Sequence, residues 1–594
     1  MAGPSRSGPP PRARRRTAAK PAAAPAAAAA RTEAVQKAAA VPVSLESVLW
    51  LALVGIAAGL RLASLGHLPL SEQEGVRAFA AWAVSNGDVP QGWPGDLTAA
   101  LTSHLFRIFG STETVARLIP ALSGTALVAA FWWARRYVGS GSALLAAAFI
   151  ALSPLTMYAS RTAFGFAPGA LISMVMVLAL LAYLDRRQPA ALVTLAATFG
   201  VALAGDPVSV TTAIALTVFV VIEAGVRREG AVAQALTDAR SNRDHWRPAA
   251  AALGVALLLS FVQYGTDIDR LSLPGVRLWL DVFSLPGDDL PWHYNLTVLL
   301  AYEWPLLIAG LTAYLVLVDR WFGRNDAVSL VERLLVTWCS IALAVVVFAT
   351  QRQSGQLVVL LLPLSLLAAM LLNDLLARLD WRLLRRWWPA AALALALTAY
   401  AMLQLTRWAR EGGGLPGDDK LLVISALLAA AFIVAGAIYQ LGRNGLVLAL
   451  PVAGALAAPF LLHSSLSLGF DAGTELAVDT RPTPSVRPFV AAVDRAAADA
   501  GVAVVVDPRF RDVLAWYLRH SPAVVGDPVA GAPLIAAAGE PSPPGYKPPE
   551  GAWRIAEQWT AGDFDPLPTW RWFVYRSAYG NLSTIDVQIL IQQQ

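Results

Sequence analysis

Residues 168–184 read PGALISMVMVLALLAYL, and this apolar run is followed at once by Asp185, Arg186 and Arg187. A helix needs about 20 apolar residues to cross the hydrocarbon core of a bilayer, with a working range of about 17–25. The same pattern recurs on both sides of this run and predicts 13 membrane spans. The predicted spans lie near residues 47–65, 118–134, 142–158, 168–184, 190–204, 208–225, 248–264, 296–318, 333–350, 356–374, 388–405, 420–439 and 444–462.

The composition excludes most other classes of protein. Hydrophobic residues make up 56% of the 594 residues and charged residues only 15%, against about 25% charged residues in soluble domains. An ordinary cytosolic protein or a disordered chain does not carry such an excess of apolar side chains. The single cysteine, Cys339, excludes a disulfide framework. A net charge of +5, spread over many loops, argues against nucleic-acid binding.

Arginine residues alternate between the predicted loops. Cytoplasmic loops of membrane proteins carry an excess of Lys and Arg. With a basic N-terminus in the cytoplasm, every second loop is rich in arginine and the loops between are poorer. We therefore predict an integral protein of the cell (inner) membrane, with a cytoplasmic N-terminus. The arginines of the predicted cytoplasmic loops are Arg135, Arg136, Arg186, Arg187, Arg227, Arg228, Arg243, Arg247, Arg320, Arg324, Arg378, Arg382, Arg385, Arg386 and Arg443.

Changes of composition divide the chain into three parts. Residues 1–46 are rich in Ala, Pro and Arg, which predicts a disordered cytoplasmic tail. Residues 47–463 hold the apolar runs and form the predicted transmembrane domain. Residues 464–594 alternate helical and β-type segments, which predicts a C-terminal extracytoplasmic α/β domain. Its expected elements are a helix over 486–500, strands over 502–506 and 523–525, and a helical stretch over 511–519.

The first outer loop contains two acidic residues directly after a membrane span. Residues 68–82 read LPLSEQEGVRAFAAW, so Glu72 and Glu74 lie at the membrane surface. A membrane enzyme that activates a hydroxyl needs a carboxylate base near both lipid phosphate and water. A structural alternative stays open, because Ser71 and Glu74 have the spacing of a capping box at a helix N-terminus.

This loop and several later motifs resemble the GT-C superfamily of membrane glycosyltransferases. The similarity is nearest to the protein O-mannosyltransferase and aminoarabinose-transferase families, and within them to the archaeal-type flippase activity-associated branch. It extends over most of residues 47–594 and is clearest over about 60–185. The later motifs are LFRIFG at 105–110, RLIPAL at 117–122, ALSPLTMYASR at 151–161, LPWHYN at 290–295, YEWP at 302–305 and WYLR at 516–519.

The resemblance implies transfer of a sugar from a polyprenyl-phosphate donor to an acceptor hydroxyl on the extracytoplasmic face. The acceptor would be a glycan, a lipid or a protein. Such families carry an Asp-Glu pair in the first outer loop, but here Gln73 stands where the Asp is expected and Glu74 follows it. Glutamine cannot accept a proton, so either Glu72 takes over as the base or the site is altered or inactive. No cofactor is predicted.

Further candidates lie in other outer loops and at span ends. Arg161 ends a span where a phosphate leaving group would lie, and arginine forks match phosphate oxygens; an arginine snorkelling to the interface is the alternative. A second candidate for phosphate or lipid is Arg352. Substrate-binding candidates are Asp267, Trp292, His293, Tyr294 and Glu303. Asp288 and Asp289 could hold a divalent cation, but no cluster at ligand spacing supports a metal site.

Two rival functions remain open from the sequence. A non-catalytic assistant of lipid-linked sugar export would keep the fold and tolerate the missing Asp. A secondary transporter would instead show inverted repeats and charged or broken helices at the midplane, and these are scarce in this chain.

Overall fold

The computed structural model describes residues 44–91, 93–267, 272–286, 290–323, 328–411, 417–471, 475–478, 480–547, 551–560 and 565–592. The chain divides into two units, Met1–Leu51 and Ala52–Gln594. The contacts described below all lie within Ala52–Gln594. The predicted boundary at residue 463 falls inside the helix Leu446–Leu466, and the three predicted domains remain predictions.

Long apolar helices dominate the described part of the chain. Ten of them are long and apolar enough to cross a membrane, and an eleventh span results if the bent pair Ser140–Leu152 and Pro154–Arg161, at 61°, is taken as one. The ten are Leu45–Leu62, Glu113–Val138, Phe166–Arg186, Pro207–Val226, Tyr294–Gly323, Leu330–Phe348, Ser354–Arg378, Arg382–Arg410, Lys420–Leu441 and Leu446–Asp471.

Each of the 13 predicted spans coincides with a helix or with the bent pair. Two of these helices are not counted among the ten or eleven. Pro189–Ala202 has only 14 residues, and Arg243–Phe261 begins with the charged sequence RDHWR. The polytopic helical fold is therefore confirmed. The described residues contain 10 helices that satisfy the requirements of a span on their own, and the bent pair raises the count to 11 spans.

Four shorter helices lie between the apolar ones. They are Glu72–Ser85, Leu97–Phe109, Ala231–Ser241 and Pro274–Asp281. The first of them contains the two glutamates predicted to be catalytic, and Ser71 is its N-cap.

The described C-terminal residues contain a mixed sheet of seven strands. The strands are β1 Arg481–Pro482, β2 Val504–Val506, β3 Ala523–Val525, β4 Leu534–Ala537, β5 Tyr546–Lys547, β6 Trp553–Thr560 and β7 Asn581–Gln592. Strands β2, β3 and β4 are parallel to one another, whereas β1, β5, β6 and β7 pair antiparallel to their neighbours. The hydrogen-bonded order is β1-β6-β7-β4-β2-β3, with β5 paired to β7.

The two predicted strands are present as β2 and β3, and they pair in parallel at one edge of the sheet. The predicted helix precedes them in the chain. That helix is Val486–Ala500, as expected, and β3 has its predicted limits. Helix Arg511–Leu514 is shorter than the predicted stretch over 511–519. The predicted combination of helices and a β-sheet in the C-terminal part is confirmed. Helix Pro566–Tyr575 lies between β6 and β7.

One hydrophobic core joins this sheet to the first loop. Phe489, Trp516 and Val587 from the C-terminal part are buried in the same cluster as Val84 and Phe106 from the loop helices. The rings of Phe106 and Trp516 lie 5.7 Å apart, a distance at which aromatic pairs contribute beyond simple burial. The C-terminal part is therefore fixed against the loop that carries Gln73.

Candidate functional site

The first loop helix begins with the capping box that its sequence allows. The Ser71 amide donates to Glu74 Oε2 at 3.0 Å, and the Glu74 amide donates to Ser71 Oγ at 3.3 Å. This satisfies two backbone donors that a helix N-terminus would otherwise leave without partners. The structural alternative for Glu74 is therefore correct.

Glu74 is also buried in an ion pair with Arg117. Arg117 Nε and Nη2 donate to its two carboxylate oxygens, each at 2.9 Å, and the Ala163 amide donates to Oε1 at 2.8 Å. Burial alone would raise the pKa of this carboxyl, but Arg117 and the backbone amides of Ser71 and Ala163 hold the pKa below its ordinary value of 4.5. A carboxylate with this many donors is a poor proton acceptor, so these contacts favour a structural role for Glu74, and its role as the base stays a prediction.

The Arg161 guanidinium likewise donates hydrogen bonds to several backbone carbonyls. Its Nη1 donates to the carbonyls of Leu60, Arg61 and Ala63, at 3.0, 3.3 and 2.7 Å. Its Nη2 donates to Ser64 at 3.3 Å and its Nε to the Gly469 carbonyl at 2.8 Å. These acceptors include carbonyls at the C-terminal end of a helix, which lack partners within the helix. These contacts give Arg161 a role in capping this helix end, and its role in phosphate binding stays a prediction.

A cavity of about 540 Å³ lies beside these groups. It brings together Gln73, His293, Tyr294 and Arg352, which come from three loops far apart in the sequence. The remaining described lining residues are Tyr158, Phe164, Phe166, Leu290, Pro291, Thr297, Gln353, Ser354, Gly355, Leu476, Ala477, Val478, Gln558, Trp559, Thr560 and Tyr579. The cavity is therefore enclosed by the first loop, the ends of several apolar helices and the C-terminal part.

Hydrogen bonds hold two of these residues in the cavity wall. Arg352 Nη1 donates to the Leu290 carbonyl at 3.0 Å and to the Thr350 carbonyl at 3.4 Å. The Tyr294 hydroxyl donates to the Leu476 carbonyl at 2.7 Å and lies 3.0 Å from Ser354 Oγ. The guanidinium is thus positioned at the cavity, where it can meet an anionic group.

Three other predicted substrate-binding residues lie outside the described cavity lining. Trp292 is 79% exposed, and its ring meets the edge of the His293 ring with centroids 5.5 Å apart. Asp267 is buried and is not among the residues that line the cavity. Glu303 is fully buried, accepts hydrogen bonds from Ser153 Oγ and from the Leu155 amide at 3.0 Å, and so binds the N-terminus of helix Pro154–Arg161. Glu303 thus caps a helix, and its role in substrate binding stays a prediction.

Glu72 is half-buried in the first turn of its helix, and it does not line the cavity. Asp288 and Asp289 lie outside the described residues. Among those that are described, no group of three or more His, Cys, Asp or Glu side chains is arranged to hold a metal ion.

Sequence reasoning missed the aromatic wall of the cavity. Phe164 and Phe166 follow directly after the recognised motif at 151–161, so their proximity offered a weak signal. Trp559 and Tyr579 come from the C-terminal part, and no sequence pattern links them to the first loop. Aromatic rings beside polar groups suit a sugar, because the rings contact its apolar face while the polar groups bond its hydroxyls.

The described lining of the cavity contains no Asp or Glu side chain. Its titratable groups are His293, Arg352 and tyrosines, with the Gln73 amide where a carboxylate was expected. This arrangement can bind an anion at Arg352 and a neutral polyhydroxyl group along the aromatic wall. It does not by itself supply a carboxylate base.

A family model described as dolichyl-phosphate-mannose-protein mannosyltransferase matches residues 96–237. No curated protein sequence matches the chain.

Two solved structures share its architecture. ArnT from Cupriavidus metallidurans, bound to undecaprenyl phosphate, aligns with a TM-score of 0.52 and 15% identity, over 82% of this chain and 93% of that chain. The Archaeoglobus fulgidus oligosaccharyltransferase in the apo form aligns with a TM-score of 0.50 and 11% identity, over 81% of this chain and 64% of that chain. Together with the family match, these alignments confirm the predicted fold: the chain has the fold of the GT-C membrane glycosyltransferases.

Proposed function

We propose that this protein transfers a sugar from a polyprenyl-phosphate donor to an acceptor hydroxyl, at the extracytoplasmic face of the cell membrane. The observation that carries the proposal is the cavity of about 540 Å³, with Arg352 in its wall and aromatic side chains around it. A similar fold, that of ArnT, has been solved with undecaprenyl phosphate bound. The acceptor is a glycan, a lipid or a protein.

Arg352 is the residue assigned to the donor phosphate. A guanidinium presents two parallel N–H groups that match two phosphate oxygens, and charge-assisted hydrogen bonds of this kind are about twice as strong as neutral ones. His293 and Tyr294 lie in the same wall and are assigned to the sugar. A fixed cation at this place also stabilises the negative charge that develops when the phosphate leaves.

The extracytoplasmic side rests on the alternation of arginine along the loops. The cavity-lining residues of the first loop, of the loop before Tyr294 and of the loop around Arg352 all belong to predicted outer loops. A cytoplasmic assignment would require the arginine-rich loops to face outward, against the usual bias.

One observation favours a second function, a non-catalytic assistant of lipid-linked sugar export. The described cavity wall has no carboxylate, and Gln73 cannot accept a proton. Such a protein would bind the polyprenyl-phosphate sugar in the same cavity without transferring the sugar.

The test uses the full chain in detergent with undecaprenyl-phosphate-linked mannose as donor and octyl mannoside as acceptor. Release of undecaprenyl phosphate and formation of the dimannoside are followed by mass spectrometry. Arg352→Gln is compared with Arg136→Gln, which removes an exposed arginine that pairs with Asp185 in a different loop.

We expect transfer by the wild type and by Arg136→Gln, and at least a tenfold loss in Arg352→Gln. A donor that raises the melting temperature of the wild type without being consumed supports the assistant function instead. Neither transfer nor stabilisation by the donor would refute both functions.

A further inference from the structure

A second cavity, of about 250 Å³, adjoins the first. Phe164, Phe166 and Gln353 line both cavities, so the two cavities meet at these three side chains. The second cavity differs in chemistry, because its wall includes two carboxylates, Asp206 and Asp281. The wall also includes Arg77 and the amide side chains of Gln351, Gln353 and Gln356, and these polar groups can bind the hydroxyls of a ligand.

Asp206 is the buried carboxylate of this second cavity. It lies in the tight turn between helices Pro189–Ala202 and Pro207–Val226, and its Oδ1 accepts a hydrogen bond from the Val208 amide at 2.9 Å. Two glycines make room for it. A Cβ on Gly165 would come within 3.0 Å of Asp206 Cβ, and a Cβ on Gly169 within 2.9 Å of its Oδ1.

The cation nearest to Asp206 in this cavity wall is Arg77, which also lines the cavity. Arg77 Nη2 forms its ion pair with Asp96, at 2.7 Å. Burial, reinforced by the nearby Asp96 and opposed by the Val208 amide and by Arg77, raises the pKa of Asp206 to about 7. Asp281, on the far side of the cavity, is more than half exposed and lies 3.9 Å from Arg277.

We propose that this second cavity binds the acceptor hydroxyl and that the Asp206 carboxylate accepts its proton. The inference rests on the proposed glycosyl transfer and supplies the base that the described donor cavity lacks. In this arrangement the anionic donor binds in the first cavity beside Arg352, and the neutral acceptor binds in the second cavity beside Asp206.

The step balances without any further reactant. A lone pair on the acceptor oxygen forms the bond to the anomeric carbon. The bond between that carbon and the phosphate oxygen breaks, and the electron pair leaves with the polyprenyl phosphate beside Arg352. The acceptor proton moves to the Asp206 carboxylate and later to water.

A purely structural role for Asp206 makes a different prediction. As the N-cap of helix Pro207–Val226, Asp206 satisfies a backbone donor, and asparagine is an equally good N-cap. Asp206→Asn therefore keeps the cap and removes only the ability to take a proton. Asp244→Asn is the matched control, because Asp244 also lies in the first turn of a helix but is exposed.

The experiment measures mannose transfer to octyl mannoside between pH 5.5 and 8.5, with the full chain and the same donor as above. Loss of a general base costs about 100-fold or more in rate. We expect that loss in Asp206→Asn, an unchanged melting temperature and unchanged stabilisation by undecaprenyl phosphate. In the wild type, transfer falls as the pH drops below about 7, because the protonated carboxyl cannot act as a base; Asp244→Asn keeps both rate and profile.

Transfer by Asp206→Asn within threefold of the wild type would overturn the inference and leave the proposed function intact. So would a loss confined to Glu72→Gln, which would place the base on the first loop helix. If the wild type does not transfer mannose at all, the proposed function fails, and this inference fails with it.

Discussion

Two groups of charged residues lie at the same end of the bundle, and they differ in the space around them. Glu74, Arg117 and Arg161, here called the buried charge cluster, border a void of only about 50 Å³. Arg352 and His293 border a cavity of about 540 Å³. Both groups sit beside Tyr158 and Val478, which line both spaces. Both groups are close to the cavity, so we expect access to a ligand-sized space, and not proximity, to distinguish a functional charge from a structural one.

The physical reason is the cost of burying a charge. An ionised group taken out of water must be compensated by counter-charges and hydrogen bonds, and the buried charge cluster finds these in backbone carbonyls and amides. A residue that binds substrate must keep part of its charge facing a space that a ligand can enter.

Removing Arg117 should have the largest effect on the buried charge cluster. Arg117 donates to Glu74 and to the carbonyls of Leu65, Leu68 and Pro69. Breaking a buried pair by removing one partner costs about 3–5 kcal/mol. We expect Arg117→Gln to lower the melting temperature in detergent strongly, whereas Arg136→Gln leaves it nearly unchanged. A stable Arg117→Gln protein that has lost only ligand binding would contradict the comparison.

The cluster also predicts how stability depends on pH. The pKa of Glu74 is below its ordinary value of 4.5 in the folded protein, so its contribution to stability is present above that value and is lost as the pH falls through the folded pKa. We expect the melting temperature of the wild type to fall more steeply below pH 4.5 than that of Glu74→Gln. Parallel curves for the two proteins would show that the ion pair contributes nothing.

Arg161 offers the sharpest contrast with Arg352. Arg161→Gln leaves buried carbonyls without donors, each at a cost of about 1–3 kcal/mol, so it should lower the melting temperature while the folded fraction still binds undecaprenyl phosphate. Arg352→Gln should leave the melting temperature nearly unchanged and should weaken the binding of undecaprenyl phosphate. Thermal unfolding with and without undecaprenyl phosphate measures both effects. Loss of ligand stabilisation in Arg161→Gln at an unchanged melting temperature would contradict this comparison and support the phosphate role predicted from its sequence position.

The helical membrane fold could be predicted from the sequence because a helix that crosses a bilayer needs about 20 consecutive apolar residues. That rule located every long helix, and the period of residues 486–500 located the helix before the parallel strands. The rule predicted more spans than the 10 or 11 of the described residues because it also counted one short helix, Pro189–Ala202, and one helix that begins with charged residues, Arg243–Phe261.

The site was harder to predict, for a reason visible in Arg161 and Arg352. Both are isolated arginines near the end of an apolar run, and the sequence does not say whether the partner of each is a carbonyl or a ligand. His293 and Tyr294 were predicted from aromatic residues in a polar loop. Trp559 was not, because its place beside them depends on packing between segments more than 200 residues apart.

The smallest expected effect tests the cavity wall itself. Tyr294→Phe removes the hydroxyl that donates to the Leu476 carbonyl at 2.7 Å, at a cost of about 1 kcal/mol. Because Leu476, Ala477 and Val478 form part of the wall, loosening this segment should also weaken the stabilisation by undecaprenyl phosphate, by about twofold to fivefold in affinity. That range corresponds to less than the 1.4 kcal/mol of a tenfold change.

Tyr314→Phe is the matched control, since the Tyr314 hydroxyl lies 2.9 Å from Ser340 Oγ in the contact between two apolar helices, away from the cavity lining. It should lower the melting temperature by a similar amount without changing the affinity for undecaprenyl phosphate. Equal affinities for the two variants would mean that the segment 475–478 holds its place without Tyr294, and that the shape of the cavity is set by the packing of the C-terminal part alone.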